Sequence, residues 1–141
     1  MIFLPATTIQ KKKMVESEFG SGTPATHYIG ISLGAISATG GGIIEPSTVN
    51  GYARIAVTNN KTTWTDFING EVSNKVMLEF PEVINANWNT TSQPMYLFIA
   101  TSATGTGDDI KYYVELTGTD KKLLQVGATA RFPIGIFKIK M

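Results

Sequence analysis

An all-β fold, an antiparallel β-sandwich or jelly-roll-like domain behind a short N-terminal helical or extended arm, is what this sequence predicts. Three observations carry the prediction. Seven short strand-like runs follow residue 25, most of them alternating apolar and polar side chains with period two. Clusters of Gly, Asn, Asp and Thr separate those runs, as turns between antiparallel strands require. After Phe19 no second stretch has helical spacing, which excludes the strand–helix alternation of a parallel α/β sheet.

The elements follow in order. "MIFLPATT" holds too short an apolar run for a signal peptide, and no stretch approaches the roughly 18 apolar residues of a membrane-spanning helix, so a complete, soluble, unprocessed chain is expected. Residues 7–19, "TTIQKKKMVESEF", predict the one helix, with Thr7 or Thr8 as cap and Ile9, Met14, Val15 and Phe19 as a ragged apolar stripe. "GSGTP", 20–24, breaks it. The organisation expected is therefore an N-terminal arm, 1–22, and a β-sandwich domain, 23–141.

In "HYIGISL" the alternation turns Ile29, Ile31 and Leu33 one way and Tyr28, Gly30 and Ser32 the other. "YARIAV" predicts Ala53, Ile55 and Val57 inward, and "KVMLEF" predicts Val76, Leu78 and Phe80 on one face. "MYLFIA", 95–100, is apolar on both faces, so it is a central strand or one whose outer face meets a partner. "KYYVEL" predicts Tyr112, Val114 and Leu116 inward, and "GATARF" with "IGIFKIK" forms a last pair parted by Pro133. The connections 34–51, 58–74 and 101–110 are long enough to vary freely.

The function classes narrow by composition. With 141 residues, 43% hydrophobic, there is room for one compact domain. A formal net charge of +1 supplies no field for nucleic acid or an anionic membrane, and neither is expected as a partner. The chain has no cysteine and one histidine, which excludes thiolate chemistry and disulfides and argues against a triad, a bound metal or any other cofactor. For the same reason no catalytic constellation is expected.

Of the residues that could carry chemistry, those of "EPSTVNGYARIAV", 45–57, stand out. Glu45 and Arg54 flank an Asn50-Gly51 turn, and the pair is read as tying the 34–51 loop to its strand, with the Arg54 guanidinium stacking on Tyr52. His27 reads as a satisfied edge residue, "GTGDD", 105–109, as a polar hairpin tip rather than a calcium loop, and Gly40-Gly41-Gly42 as loop with no helix to make a phosphate cradle. Lys11–Lys13 read as a solvated helix face. Asn60-Lys61-Thr62 and Asn89-Thr90-Thr91 match the glycosylation triplet by chance. Trp64 and Trp88, with Tyr52, Tyr96 and Tyr113, would stack on sugars if exposed together, but burial is their default, and Trp88 is taken as structural with Glu45, Tyr52 and Arg54. Assembly is expected of Ile2, Phe3 and Leu4 as an apolar anchor in the arm, and of Tyr96 and Phe98 on the doubly apolar strand.

"YIGISL", "EPSTVNGYARIAV", "SNKVMLEFPEV", "NANW" and a closing "GATARFPIGIFKIK" occur in the order found in small phage virion proteins of the tail-fibre or minor structural type, which the chain resembles over about 28–141. The matching positions are Tyr28, Gly30, Ser32, Glu45, Pro46, Gly51, Tyr52, Ala53, Arg54, Ser73, Asn74, Phe80, Pro81 and Trp88. Departures are Trp88-Asn89, where the pattern has glycine after the tryptophan, and Gly127-Ala128, where it has Gly-Asp. The resemblance implies a non-enzymatic virion structural protein, a tail-fibre or baseplate component or a capsid decoration or cement protein. It also implies self-association, with a trimer favoured, and contacts with other virion structural proteins. A glycan-binding receptor-recognition module that takes a host glycan is the alternative.

Overall fold

A computed structural model describes Ile2, Leu4 and residues 7–140. Among them are one helix, α1 (Thr8–Glu18), and eight strands: β1 (Thr26–Ser32), β2 (Ile55–Thr58), β3 (Glu71–Ser73), β4 (Leu78–Glu79), β5 (Tyr96–Ala100), β6 (Ile110–Glu115), β7 (Arg131–Phe132) and β8 (Lys138–Lys140). They form a four-stranded sheet in the order β2-β1-β5-β6 and two ribbons, β3-β8 and β4-β7. The pairings β1–β5, β5–β6 and β3–β8 are antiparallel. The fold is all-β apart from α1, and its sheets do not close. All seven runs read from the sequence overlap a strand.

Contacts gather into two compact units: the first holds the N-terminal segment through Thr26, Thr58–Met77 and the C-terminal segment from Phe132, and the second holds His27–Val57 and Leu78–Arg131.

In the first unit α1 starts where the Thr7 hydroxyl accepts the Gln10 N–H at 3.2 Å. Of its apolar stripe, Val15 and Phe19 are buried and Met14 is exposed. Phe19 meets Trp64 edge-on, with centroids 4.9 Å apart and planes at 81°, and neither ring reaches solvent. Strand β3 lies inside 58–74, where a freely varying connection was expected. Its cause is the Asn69-Gly70 corner: both residues have positive φ, 54° and 80°, and Ile68 and Glu71 exchange N–H···O bonds of 3.0 and 3.1 Å across it. That corner turns Val72 inward to pair with Ile139 of β8.

In the second unit β5 is central, flanked by β1 and β6. Ile29, Ile31, Leu97 and Ile99 line one face of the sheet, all buried. The opposite face carries Phe98 and Ala100, and Ile36 packs on them with Ile43 at its side. Both isoleucines come from the excursion between Leu33 and Ile44. Its ends are closed by Leu33 N–H to Ile44 O at 2.7 Å, and the buried Ser32 hydroxyl accepts from Gly34 and Ile44 N–H at 3.2 and 3.0 Å. A loop of the same unit thus covers the second apolar face of β5. Gly30 makes room for it: a Cβ there would stand 2.2 Å from Phe98 Cζ, because the ring lies across β1.

Three inward sets differ from the alternation: Val76, expected beside Leu78 and Phe80, is exposed because β4 begins only at Leu78. Ala53 is exposed, whereas Tyr52 and Arg54 are buried, because a carboxylate waits for them inside the unit. Val114 is 55% exposed, since β6 is an edge strand with nothing packed over that position.

Candidate functional site

The chain from Glu45 to Arg54 reverses through a 3-10 turn, Thr48–Asn50. Ser47 caps it by accepting the Val49 N–H at 3.3 Å, and Gly51 ends it at φ 91°. A side chain at Gly51 would also meet the Glu82 carbonyl oxygen at 2.6 Å, so position 51 needs glycine twice over. The reversal sets Glu45 beside Arg54.

The pair is a two-point clamp. Arg54 Nε donates to Glu45 Oε1 at 2.8 Å and Nη2 to Oε2 at 3.0 Å, while Nη1 donates to Ser102 O at 2.8 Å. The ring beneath the guanidinium is Phe98, 4.9 Å from Arg54 Cζ to its centroid, in place of the Tyr52 ring that the sequence suggested. Tyr52 contributes its hydroxyl: it donates to Glu45 Oε1 at 2.6 Å and accepts the Ile31 N–H at 3.0 Å. Burial, then the hydrogen bond to Glu45 and its charge, push the Tyr52 phenol well above the ordinary tyrosine value. The hydroxyl is thus a fixed neutral donor rather than a proton relay. The Arg54 side chain is 1% exposed and that of Glu45 23%.

Trp88 completes the cluster. Its Nε1 donates to Asn50 O at 2.7 Å, and its ring stands edge-on to Tyr52 and Phe80, which lie nearly parallel to each other. Tyr52 thereby joins the 45–54 reversal to β1, and Arg54 joins it to the chain after β5.

The remaining candidates fall elsewhere. His27 is buried at the start of β1. Asp108 and Asp109 sit in a short 3-10 turn, and among the described residues no group of three or more His, Asp or Glu side chains is placed to hold a metal ion. No helix among them is long and apolar enough to cross a membrane. Trp64 and Trp88 are both buried, so neither offers a face to a sugar. Tyr96 is half-buried against the Phe98 cluster and Phe98 itself is 1% exposed. The assembly surface expected at Phe98 is therefore spent inside its own unit, under Arg54 and across Gly30. Ile2 and Leu4 are 86% and 89% exposed, whereas Phe3 lies outside the described residues.

Sequence reasoning missed three buried asparagines. Asn59 accepts the Gly20 N–H and donates to Glu18 O and Pro24 O at 2.9 and 2.8 Å. Asn74 accepts the Phe137 N–H at 3.0 Å and donates to Val76 O and Pro133 O at 2.8 and 3.1 Å. Asn89, the departure after Trp88, accepts the Leu124 N–H and donates to Lys122 O, both at 2.8 Å. Its amide is committed and buried, which suits no glycan. Among the described residues no buried side-chain nitrogen or oxygen is left without a hydrogen-bond partner.

An all-β module whose Arg54–Glu45 pair, aromatic trio and buried amides fasten its own loops has the make-up of a structural protein. The family model described as podophage GP4 fiber I protein gp80 matches residues 5–140. The chain belongs to this family of phage virion structural proteins of the fibre type, and its place is the virion. No curated protein and no solved structure matches it.

Proposed function

We propose that the chain is a non-catalytic building block of the phage particle, held there by self-association and by contacts with neighbouring virion proteins. Of the positions open to such a protein, the fibre, with its baseplate attachment, is the one the family description supports over capsid decoration. The observation that carries the reading is the family match together with the Glu45–Arg54–Tyr52 network, whose polar atoms are used up within one unit. Sandwich-like packing belongs to the same proposal, supported by β5 being covered on both faces.

The exposed Ile2 and Leu4 support an apolar attachment point at the N-terminus, worth about 1.5 to 3 kcal/mol per side chain when a neighbour buries it. The glycan-binding alternative keeps only Tyr113 and the half-buried Tyr96 of its five rings, because Tyr52, Trp64 and Trp88 are buried. Gold-labelled antibody against the chain, applied to intact particles, tests the reading. Label along fibres is expected; label over the head surface moves the protein to decoration, and unlabelled particles that lack the chain on immunoblotting defeat the proposal.

A further inference from the structure

Strand β6 (Ile110–Glu115) is the longest open edge among the described residues: it pairs with β5 on one side, and on the other no described strand adjoins it. Leu116 N–H donates to Met95 O at 2.8 Å, and Val114 and Tyr112 stand opposite Leu97 and Ile99 in the same phase. Tyr112, Val114 and Leu116 thus turn their backbone groups toward β5; the register shifts between Ile99 and Ala100, where Ala100 stands opposite Ile110, whose N–H donates to Gly107 O. Tyr113 and Glu115 turn their N–H and C=O groups away from the sheet and share one face, with Lys111 at the register shift just before them. All three are exposed, Tyr113 at 44%, and Val114 on the opposite face is 55% exposed.

An open edge of this length invites another strand. Its sequence, "IKYYVE", matches its own reverse. About an axis through Tyr113, an antiparallel copy sets Lys111 opposite the partner's Glu115, Tyr112 opposite the partner's Val114, and Tyr113 opposite the partner's Tyr113. Shifting the axis by one residue in either direction removes both Lys–Glu matches. The backbone admits this axis, because Tyr113 and Glu115 turn their hydrogen-bonding groups outward. Any axis placed on a residue lets outward groups meet, and of these the one at Tyr113 satisfies the charges. The lysine that would otherwise repel an incoming strand meets a carboxylate instead.

We propose that β6 pairs antiparallel with β6 of a second copy of this chain about a two-fold axis at Tyr113, joining two four-stranded sheets into one of eight. The proposal rests on the self-association in the reading above and supplies its surface. An isologous contact joins copies in pairs, so the smallest assembly is a dimer rather than the trimer that the resemblance implies.

The test uses the full chain. Sedimentation velocity is expected to find dimers of the wild type. Lys111→Glu and Glu115→Lys each set like charges opposite one another twice, and each is expected to weaken the dimer by about tenfold; the double variant is expected to restore it. Tyr113→Cys gives a chain with one cysteine, and mild oxidation is expected to link it to its copy, since directly opposed residues of this type lie about 5.5 Å apart at Cα, within disulfide reach. Far-UV circular dichroism checks that each variant is folded. A wild type that stays monomeric, dimers indifferent to both charge reversals, or a Tyr113→Cys variant that does not crosslink while dimeric would each overturn the proposal. Monomeric wild type that still enters particles would sink the edge pairing alone; absence of the wild type from particles would sink the virion reading whatever the edge does.

Discussion

In the second unit a guanidinium and a carboxylate, Arg54 and Glu45, hold irregular chain to strand; in the first unit two carboxamides, Asn59 and Asn74, do the same work. The difference lies in what each device leaves behind when broken. An amide is neutral and carries its own donors and acceptor, so one side chain bridges segments of both polarities at modest desolvation cost. A buried ion pair is costly to desolvate and repays that cost only while both partners are present. The amide device should therefore fail in proportion to the hydrogen bonds it loses, and the ionic one should fail asymmetrically, according to which charge is stranded.

Four experiments break or sharpen this contrast. The largest effect is expected from a chain beginning at Thr23, which deprives Trp64 of Phe19 and Asn59 of its Gly20 and Glu18 partners. The loss should exceed the about 3 to 5 kcal/mol typical of a Phe→Ala truncation, read as a lower melting temperature. If the shortened chain melts like the intact one, residues 1–22 form a separable arm, as the division at residue 22 expects.

Next comes Glu45→Ala, which strands a guanidinium that is 1% exposed; about 3 to 5 kcal/mol should be lost in urea titrations. Arg54→Ala should cost less, because the carboxylate left behind is 23% exposed and water reaches it. Equal losses from the two variants would refute the asymmetry.

Asn74→Ala removes partners from Val76 O, Pro133 O and Phe137 N–H, at a cost of roughly 2 to 4 kcal/mol, and hydrogen exchange at the Phe137 amide should quicken. An unchanged Phe137 exchange rate would show that β8 is held by other means.

The smallest effect belongs to Tyr52→Phe, about 1 to 2 kcal/mol at neutral pH, from the loss of the hydroxyl between Glu45 and Ile31. Its pH dependence has a definite sign. The folded Tyr52 pKa is raised above the unfolded value of about 10, so its contribution is intact below pH 10 and declines as the unfolded chain, but not the folded one, ionises above it. The phenylalanine variant should lose stability less steeply between pH 10 and 11 than the wild type does. Parallel curves would mean that the phenol ionises freely in the fold.

Much of this was legible in the sequence, for local reasons. Alternation located β1 and β4 because their buried apolar positions lie two residues apart, a continuous apolar run located β5, and the Glu45–Arg54 pairing was readable from opposite charges flanking a turn. The phase of 52–57 was not, because alternation assigns apolar residues inward, and here a paired arginine and a tyrosine take those places. Val114 was misjudged since period two identifies a face without telling whether anything covers it. Strand β3 has only three residues, too few for a period, although Asn69-Gly70 was a signal for its hairpin. Asn74 reaches partners 59 and 63 residues away, and nothing in a single sequence joins such positions.

Gly30 limits how this chain can change. A methyl group there needs Phe98 to shrink, since the ring already occupies its place. A smaller residue at 98 in turn removes the surface on which the Arg54 guanidinium lies. Position 98 is thus tied to both 30 and 54: a side chain at 30 calls for a smaller residue at 98, and a smaller residue at 98 leaves Arg54 without its ring. Exchange of segments between related phages that parts 30 from 98 would meet a steric mismatch at its first folding, so viable junctions should spare the stretch from β1 to β5.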